Sequence, residues 1–523
     1  MYYNECSSLN KLTAMNPEYL NLYCLNLYSA KQTRELDRLA IDEAGITGYS
    51  LMKKAGASAF HAIMSAWPDT KTLTILCGTG NNGGDGYVIA KLAKIRGIEI
   101  KLIQVGDLSK QGGDAFIARQ DFEAEGISGE LYNDQDLSDE KVIVDALLGT
   151  GLQRDVSNEW KNIIDEINAS AAKVISIDIP SGLNTDTGLV QGVAVTADLT
   201  ITFIGRKQGM YTASGSAKSG VIKFDSLSIP DSVYKKVEPS SHGLTPKLSL
   251  SVLKPRNKNS HKGTYGHVLL IGGSPGMNGA ILLSAIAALR TGCGLVTVLT
   301  HPVHAAFLNI NQPEIMCRGI ANTCELEQYL SAADAVVIGP GLGTDQWGKD
   351  LLNAVITTDK PLVIDADGLN NLPNVKSKNN NWVLTPHPGE AASLLKCSVS
   401  DIQQDRFLAA KKISEKYNAV CVLKGSGTII HDSQNAYVCS SGNPGMAVAG
   451  MGDVLSGILG TLIAQAMLQA EQRAMQQVPF TEMVNNAVVL HAMAGDKVAD
   501  SFGEKGMLAS DLFPAIRCIV NGG

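Results

Sequence analysis

The chain has 523 residues, room for two or three domains with full cores, and its 45% hydrophobic and 18% charged content excludes disordered and fibrous classes. A formal net charge of -7 leaves no global basic field to hold nucleic acid or anionic lipid, so small molecules are the expected partners. The ten cysteines contain no C-x-x-C pair, which argues against a zinc knuckle or a redox dithiol. The first residues lack a basic segment followed by an apolar one, and the longest apolar helix, around 455–468, is interrupted by Gly457, Gly460 and Gln465. The expectation is a soluble, cytoplasmic homo-oligomer without membrane or nucleic-acid partners.

Helical periodicity opens the chain over 30–65. Strand-like runs then alternate with helical ones at 72–77, 99–105, 142–146, 173–179 and 199–204, with spacers such as 114–125 and 158–169. That alternation predicts βαβ units in a parallel sheet. From 229 to 262 the chain carries Pro230, Pro239, Pro246 and Pro255 among serines and lysines, which reads as a linker. A second series follows at 267–271, 295–299, 335–338, 362–364, 382–384, 420–423 and 428–431, closed by two long helices. The halves share no residue-level repeat. Two different three-layer α/β domains are expected, over 28–235 and 250–521.

In the first half, Cys77-Gly-Thr-Gly-Asn-Asn-Gly-Gly-Asp-Gly86 joins a strand to a helix, where backbone N–H groups and the positive helix end suit a phosphate. Gly78, Gly80 and Gly83 satisfy G-x-G-x-x-G. The next strand, however, ends Gln104-Val105-Gly106, with the acidic Asp107 only just beyond the position a ribose contact wants, so plain NAD binding is disfavoured. Asn81, Asn82 and Asp85 add oxygens beside this cradle, and an aspartate near phosphate needs a cation or a proton to relieve it. Two further strand ends supply partners, Val144-Asp145-Ala-Leu-Leu-Gly149-Thr-Gly151-Leu-Gln-Arg154-Asp155 and Ser176-Ile-Asp178-Ile-Pro180-Ser181-Gly182.

N-N-G-G-D-G, V-D-A-L-L-G-T-G and I-D-I-P-S-G, in this order, resemble the Rossmann-like YjeF-type N-terminal domain, the NAD(P)HX epimerase, over roughly 28–227. The resemblance implies that Asn81, Asn82, Gly83, Gly84 and Asp85, with Gly149, Thr150, Gly151, Leu152, Gln153, Arg154 and Asp155, hold a hydrated dinucleotide. It further implies that Asn82, Asp145 and Ser181 ligate potassium and that Asp178 is the acid/base against the substrate. A weakly held monovalent ion would then account for the asparagines and the acid of the glycine loop. Epimerisation at a carbon bearing hydroxyl and nitrogen needs reversible ring opening or proton transfer, which one carboxylate serves.

In the second half, Ala449-Gly450-Met451-Gly452-Asp453 leads into a long apolar helix, leaving bare N–H groups beside a carboxylate. Lys424-Gly425-Ser426-Gly427-Thr428 offers a second phosphate-sized loop after an apolar strand. Such a pair stabilises a transferring phosphoryl group while the carboxylate takes a hydroxyl proton. His301 and His304 lack metal-ligand company and read as helix-start or surface residues. Together with Gly263 to His267, Gly272 to Ala280, Gly339 to Gly343, Asp365 to Leu369 and Thr385 to Glu390, these motifs resemble the ribokinase-like YjeF C-terminal domain, the ADP- or ATP-dependent NAD(P)HX dehydratase. Met451 departs from the small residue usual in its turn.

The resemblance implies that Lys424, Gly425, Ser426, Gly427, Thr428 and Gly452 contact a nucleotide carried with magnesium. It places Ala280, Gly341, His387 and Asp453 against the hydrated dinucleotide, with Asp453 as the base. Phosphorylation would turn the ring hydroxyl into a good leaving group. An epimerase fused to a stereospecific dehydratase makes sense as a repair enzyme, and fusion hints at ADP over ATP. The alternative is a ribokinase-like kinase of a thiazole, pyrimidine or sugar hydroxyl joined to a dinucleotide-binding scaffold.

Overall fold

The computed structural model describes residues 24–152, 154–247, 255–372, 375–377, 381–473 and 480–522, the side chains of 469–473 excepted. Two sheets organise them. The first has seven strands, all parallel, in the spatial order Glu130–Leu131, Glu99–Gln104, Thr72–Cys77, Val142–Ala146, Lys173–Ile177, Leu199–Phe203 and Val221–Asp225. From Thr72–Cys77 the chain runs outward to Glu130–Leu131 and then returns to Val142–Ala146 on the other side. The crevice beyond the carboxyl ends of those two strands is therefore a topological switch point, where ligands of open α/β sheets bind.

The second sheet starts with six parallel strands in the order Met316–Gly319, Leu295–Thr300, His267–Ile271, Ala335–Ile338, Leu362–Ile364 and Trp382–Leu384, with Val420–Leu423 continuing the parallel run. Its switch point lies between His267–Ile271 and Ala335–Ile338. Thr428–His431 and Ala436–Cys439 extend it antiparallel. The sheet then continues into residues from the other half of the sequence: Ser241–Leu244 pairs with Ala436–Cys439, Cys24–Tyr28 with Ser241–Leu244, and Arg206–Lys207 with Cys24–Tyr28. Part of the stretch expected to be linker is thus a strand buried between two others, and Asp231–Tyr234 within it is helical. A four-residue strand containing a glycine is too short to show a period of two.

The helices follow from their apolar faces. Ala30–Asp42 starts at a capping box, Ser29 and Gln32 satisfying each other's backbone N–H, and buries Thr33, Leu36, Leu39 and Ala40 at helical spacing. Asp37 sits at the rim of that stripe. Met451–Arg473 is apolar on nearly every side and long enough by composition to cross a membrane, yet most of it is buried inside the protein. It packs against Asn278–Thr291 so closely that a Cβ on Gly457 would stand 2.0 Å from the Ser284 carbonyl oxygen. The glycines that interrupt its hydropathy are contact points of a core helix. Met451, in the unusual turn position, is buried at the start of this helix and joins the core.

Candidate functional site

A cleft of about 1150 Å³ opens at the first switch point, large enough for a dinucleotide. Asn81, Asn82, Asp85, Gly149, Thr150, Gly151, Leu152, Arg154, Asp155 and Asp178 line it. Gly83 and Gly84 do not: they sit behind the wall, where added Cβ atoms would stand 1.9 Å from the Gly78 carbonyl oxygen and 2.5 Å from the Met52 methyl group. Gln153 lies outside the described residues.

Beneath the loop, the expected cation ligands meet around one peptide. The fully buried Asp145 carboxylate accepts hydrogen bonds from the Ser181 hydroxyl at 2.5 Å, the Ser181 N–H at 2.9 Å and the Ser176 hydroxyl at 2.7 Å. Ser181 Oγ accepts the Leu148 N–H at 2.8 Å, while Asn82 Nδ2 donates to the Leu148 carbonyl at 3.1 Å. That leaves Asn82 Oδ1 buried with no partner, a costly state for an amide oxygen. One carboxylate among neutral oxygens, with an unpartnered buried amide oxygen on the neighbouring loop, fits an alkali cation. Among the described residues no group of three or more His, Cys, Asp or Glu side chains stands ready for a divalent metal. Burial pushes the Asp145 carboxyl up, against the hydrogen bonds from Ser181, Ser176 and Leu147.

Above them, Asp178 sits just past the Lys173–Ile177 strand with φ +67°, a left-handed conformation unusual for a residue with a Cβ. Its Oδ1 accepts the Phe203 N–H at 3.2 Å and is ion-paired with Lys207. The Lys207 side chain is 1% exposed, and its ammonium also donates to Thr202 Oγ1 at 2.9 Å and the Phe203 carbonyl at 3.0 Å. Two more acids share this field. Burial raises the Asp37 carboxyl to about 6, with Lys207 opposing and Asp178 adding to the rise. Burial lifts Asp85 well above the usual carboxylate range, reinforced by Asp178 and Asp37. Three carboxyls around one ammonium cannot all ionise cheaply. Burial and the neighbouring acids thus favour a proton on the acid of the glycine loop, and Lys207 opposes them.

Sequence reasoning missed Lys207 and Asp37. Lys207 follows the Leu199–Phe203 strand by four residues, so the carboxyl-edge rule, applied to one more strand, would have found it. Asp37 gives itself away only as a carboxylate on the edge of an apolar stripe.

The second constellation stands at the carboxyl edge of the larger sheet. Lys424 Nζ lies 2.8 Å from Asp365 Oδ1 and 3.8 Å from Glu390 Oε2. Asp365 also accepts from Thr385 Oγ1 at 2.7 Å and Ser456 Oγ at 2.8 Å. Burial would raise Asp365, but the Lys424 ammonium and these hydrogen bonds hold it below the ordinary range. A Cβ on Gly452 would stand 3.2 Å from Lys424 Nζ, so the glycine turn and the lysine loop converge. Burial pushes the adjacent Asp453 up to about 7, with Asp365 adding to the rise and Lys424 opposing it. Gly341 and the loop before Ala280 are neighbours too, Ser274 N donating to the Gly341 carbonyl at 2.7 Å.

His387 caps the Pro388–Leu395 helix, its Nδ1 accepting the N–H groups of Gly389 and Glu390 while the ring stays exposed. His301 caps a short helix as expected, but His304 is buried, not at the surface, with Nε2 accepting the Gly276 N–H at 3.3 Å.

Two chemical sites on the carboxyl edges of two largely parallel sheets in one chain define a bifunctional α/β enzyme of small molecules. The comparisons narrow this. Residues 268–517 match the family described as NAD(P)H-hydrate dehydratase, and residues 48–209 match the YjeF-related protein N-terminus. The chain is 45% identical to the bifunctional NAD(P)H-hydrate repair enzyme Nnr of Coxiella burnetii over 95% of its own length and 99% of the relative's. It is 42% identical to the Escherichia coli enzyme of that name, covering 95% and 94%. A crystal structure of ADP/ATP-dependent NAD(P)H-hydrate dehydratase from Bacillus subtilis, co-crystallised with ATP and magnesium, is 27% identical over 51% of this chain and 93% of that one, with a TM-score of 0.43. The chain belongs to the bifunctional NAD(P)H-hydrate repair enzymes, with an epimerase half and a dehydratase half.

Proposed function

We propose that residues 28–235 interconvert the R and S hydrates of NADH and NADPH in the cleft at the first switch point. Asp178, ion-paired with Lys207, takes the proton of the ring hydroxyl as the carbon–nitrogen bond opens to a carbonyl. The electron pair goes to the ring nitrogen, which is protonated by Asp85, the carboxyl that burial raises well above the ordinary range. Reclosure on the other face reverses both transfers. Asn82, Asp145 and Ser181 would hold potassium, which when bound offsets negative charge beside the dinucleotide phosphates. The carrying observation is the Lys207–Asp178 ion pair sharing one cleft with Asp85, whose carboxyl burial raises.

Residues 250–521 would return the S hydrate to the reduced coenzyme in the presence of ADP or ATP. Asp453 takes the ring hydroxyl proton as the hydroxyl oxygen attacks the terminal phosphoryl group, and AMP (from ADP) or ADP (from ATP) leaves with the electrons of the bridging phosphorus–oxygen bond. The phosphate then leaves with the carbon–oxygen electrons, and the adjacent ring carbon gives its proton to water as its C–H electrons form the double bond. Lys424 to Thr428 and Gly452 receive the nucleotide, and Ala280, Gly341 and His387 border the coenzyme. Asp367 and Glu390 at the same edge are hard oxygen donors of the kind magnesium takes, and when bound that ion neutralises charge on the phosphates. We place the enzyme in the cytoplasm as a homo-oligomer.

The test is to supply each purified epimer of hydrated NADH with ADP or ATP and follow the near-ultraviolet absorbance of the reduced ring. Recovery from both epimers is expected. Accumulation of a stable phosphorylated alcohol would instead establish the alternative, a ribokinase-like kinase.

A further inference from the structure

The loop Lys424 to Thr428 is not held by its own half alone. Thr212, from the epimerase half and fully buried, donates its hydroxyl to the Gly427 carbonyl at 2.9 Å. The next residue, Ala213, donates its N–H to the Ser426 carbonyl at 3.1 Å, and the Ser216 and Ser426 hydroxyls stand 2.7 Å apart. The fit is tight: a Cβ on Gly427, whose φ is +60°, would lie 2.1 Å from the Tyr211 carbonyl oxygen. On the dehydratase side Arg406, 2% exposed, ties the joint together, donating to Thr212 Oγ1 at 3.3 Å, the Leu423 carbonyl at 3.3 Å and the Gly427 carbonyl at 3.4 Å.

The same short segment is anchored at its other end. Lys207 holds Asp178, and the Gln208 side-chain oxygen accepts the hydroxyls of Ser240 at 2.7 Å and Ser241 at 3.1 Å, at the strand that carries the larger sheet across the junction. Backbone that must present N–H groups to a phosphate has to be fixed in one conformation before the ligand arrives, or binding bears the ordering cost. Gly425, Ser426 and Gly427 have little stiffness of their own; Gly425 stands at φ +145°. The groups that stiffen them come from Thr212 and its neighbours.

We infer that Thr212 and Arg406 are positioning residues for the nucleotide, so that the dehydratase's nucleotide site is a composite of both halves of the chain. This rests on the reading of Lys424 to Thr428 as the nucleotide loop. It assigns the epimerase half a role in the second reaction besides supplying the right epimer.

The experiment uses the full chain and measures KM and kcat for ADP-magnesium and ATP-magnesium in the dehydration assay, with epimerase activity as the check that the variant has folded. Thr212→Val keeps the shape and removes the hydroxyl. Its nucleotide KM should rise about tenfold, as loss of the buried Thr212–Gly427 hydrogen bond, which also strips Arg406 Nε of its Thr212 acceptor and leaves the Gly427 carbonyl only the long contact to Arg406, predicts, with kcat changed less than about twofold. Thr212→Ser should restore the KM, and Arg406→Lys, which loses the fork spanning the joint, should raise it as Thr212→Val does. Lys424→Met serves as the reference. If it raises the nucleotide KM while Thr212→Val and Arg406→Lys do not, the composite site is wrong and the loop assignment stands. If Lys424→Met leaves the nucleotide KM unchanged, the loop assignment itself fails and the inference with it. Should Thr212→Val lose both activities together, the result from Arg406→Lys decides.

Discussion

Each half of the molecule buries a lysine against an aspartate at a strand's carboxyl edge, but the two pairs leave opposite groups free. In the first, Lys207 neutralises Asp178 itself and the leftover acids Asp37 and Asp85 are pushed toward their protonated forms. In the second, Lys424 is committed to Asp365, which Thr385 and Ser456 also hold, and Asp453 is left with its carboxyl raised to about 7. The same device therefore leaves a lysine-paired aspartate beside acids raised from their ordinary range in one cleft and a carboxyl raised to about 7 in the other. Position relative to the lysine decides an aspartate's role more than burial does, since all these carboxyls are at least partly buried.

The largest expected effects come from removing the proposed base of each site in turn. Asp453→Asn should lower dehydration about a thousandfold while epimerisation continues, and Asp178→Asn should do the reverse, both read from disappearance of individual epimers by chromatography. Equal loss of both activities in either variant would break the separation between the sites. Next comes Lys207→Met, which strands the Asp178 carboxylate beside two other acids. Epimerisation should fall about a hundredfold while dehydration by the same variant continues, and unaltered epimerisation would show that the lysine is only packing.

The tuning of Asp453 can be read in two ways. As the base, it requires dehydration kcat/KM to rise with pH through about 7. Its folded carboxyl keeps a proton that the unfolded chain releases near about pH 4, so folded-state stability falls as pH rises between those values. Asp453→Asn should therefore stabilise the fold at pH 8 by on the order of 2 kcal/mol, read as a higher melting temperature, and change it little at pH 4. The smallest effect belongs to the cation. Asn82→Ala should remove potassium's ability to raise the melting temperature, with a several-fold loss of epimerisation, and the second half should not respond.

Much of this architecture was open to a reader of the sequence. Thr72–Cys77, Val142–Ala146, His267–Ile271 and Ala335–Ile338 are continuous apolar runs bounded by glycine or by a charged strand end, as strands buried on both faces must be. Asp145, Asp178 and Asp453 announced themselves through the motifs around them, since any one alone reads as a turn residue or helix cap. Lys207, Asp365 as the partner of Lys424, and the junction through Thr212 did not. Each acts through a residue far away in sequence, and a lone lysine or threonine carries no periodic or spacing signal. The strand Ser241–Leu244 stayed hidden for a related reason, because proline and serine around it mask a pairing made only by Cys24–Tyr28 and Ala436–Cys439.

The central claim is that two separate sites on one chain act in series. It is tested most directly by giving the full-length protein an equal mixture of the two hydrate epimers with nucleotide and magnesium, then repeating the reaction with Asp178→Asn. Full recovery of the reduced coenzyme by the unaltered protein, and arrest near one half by the variant with only one epimer left, is the predicted outcome. Complete recovery by the variant at the same rate would contradict it, because the first cleft would then have no part in the repair.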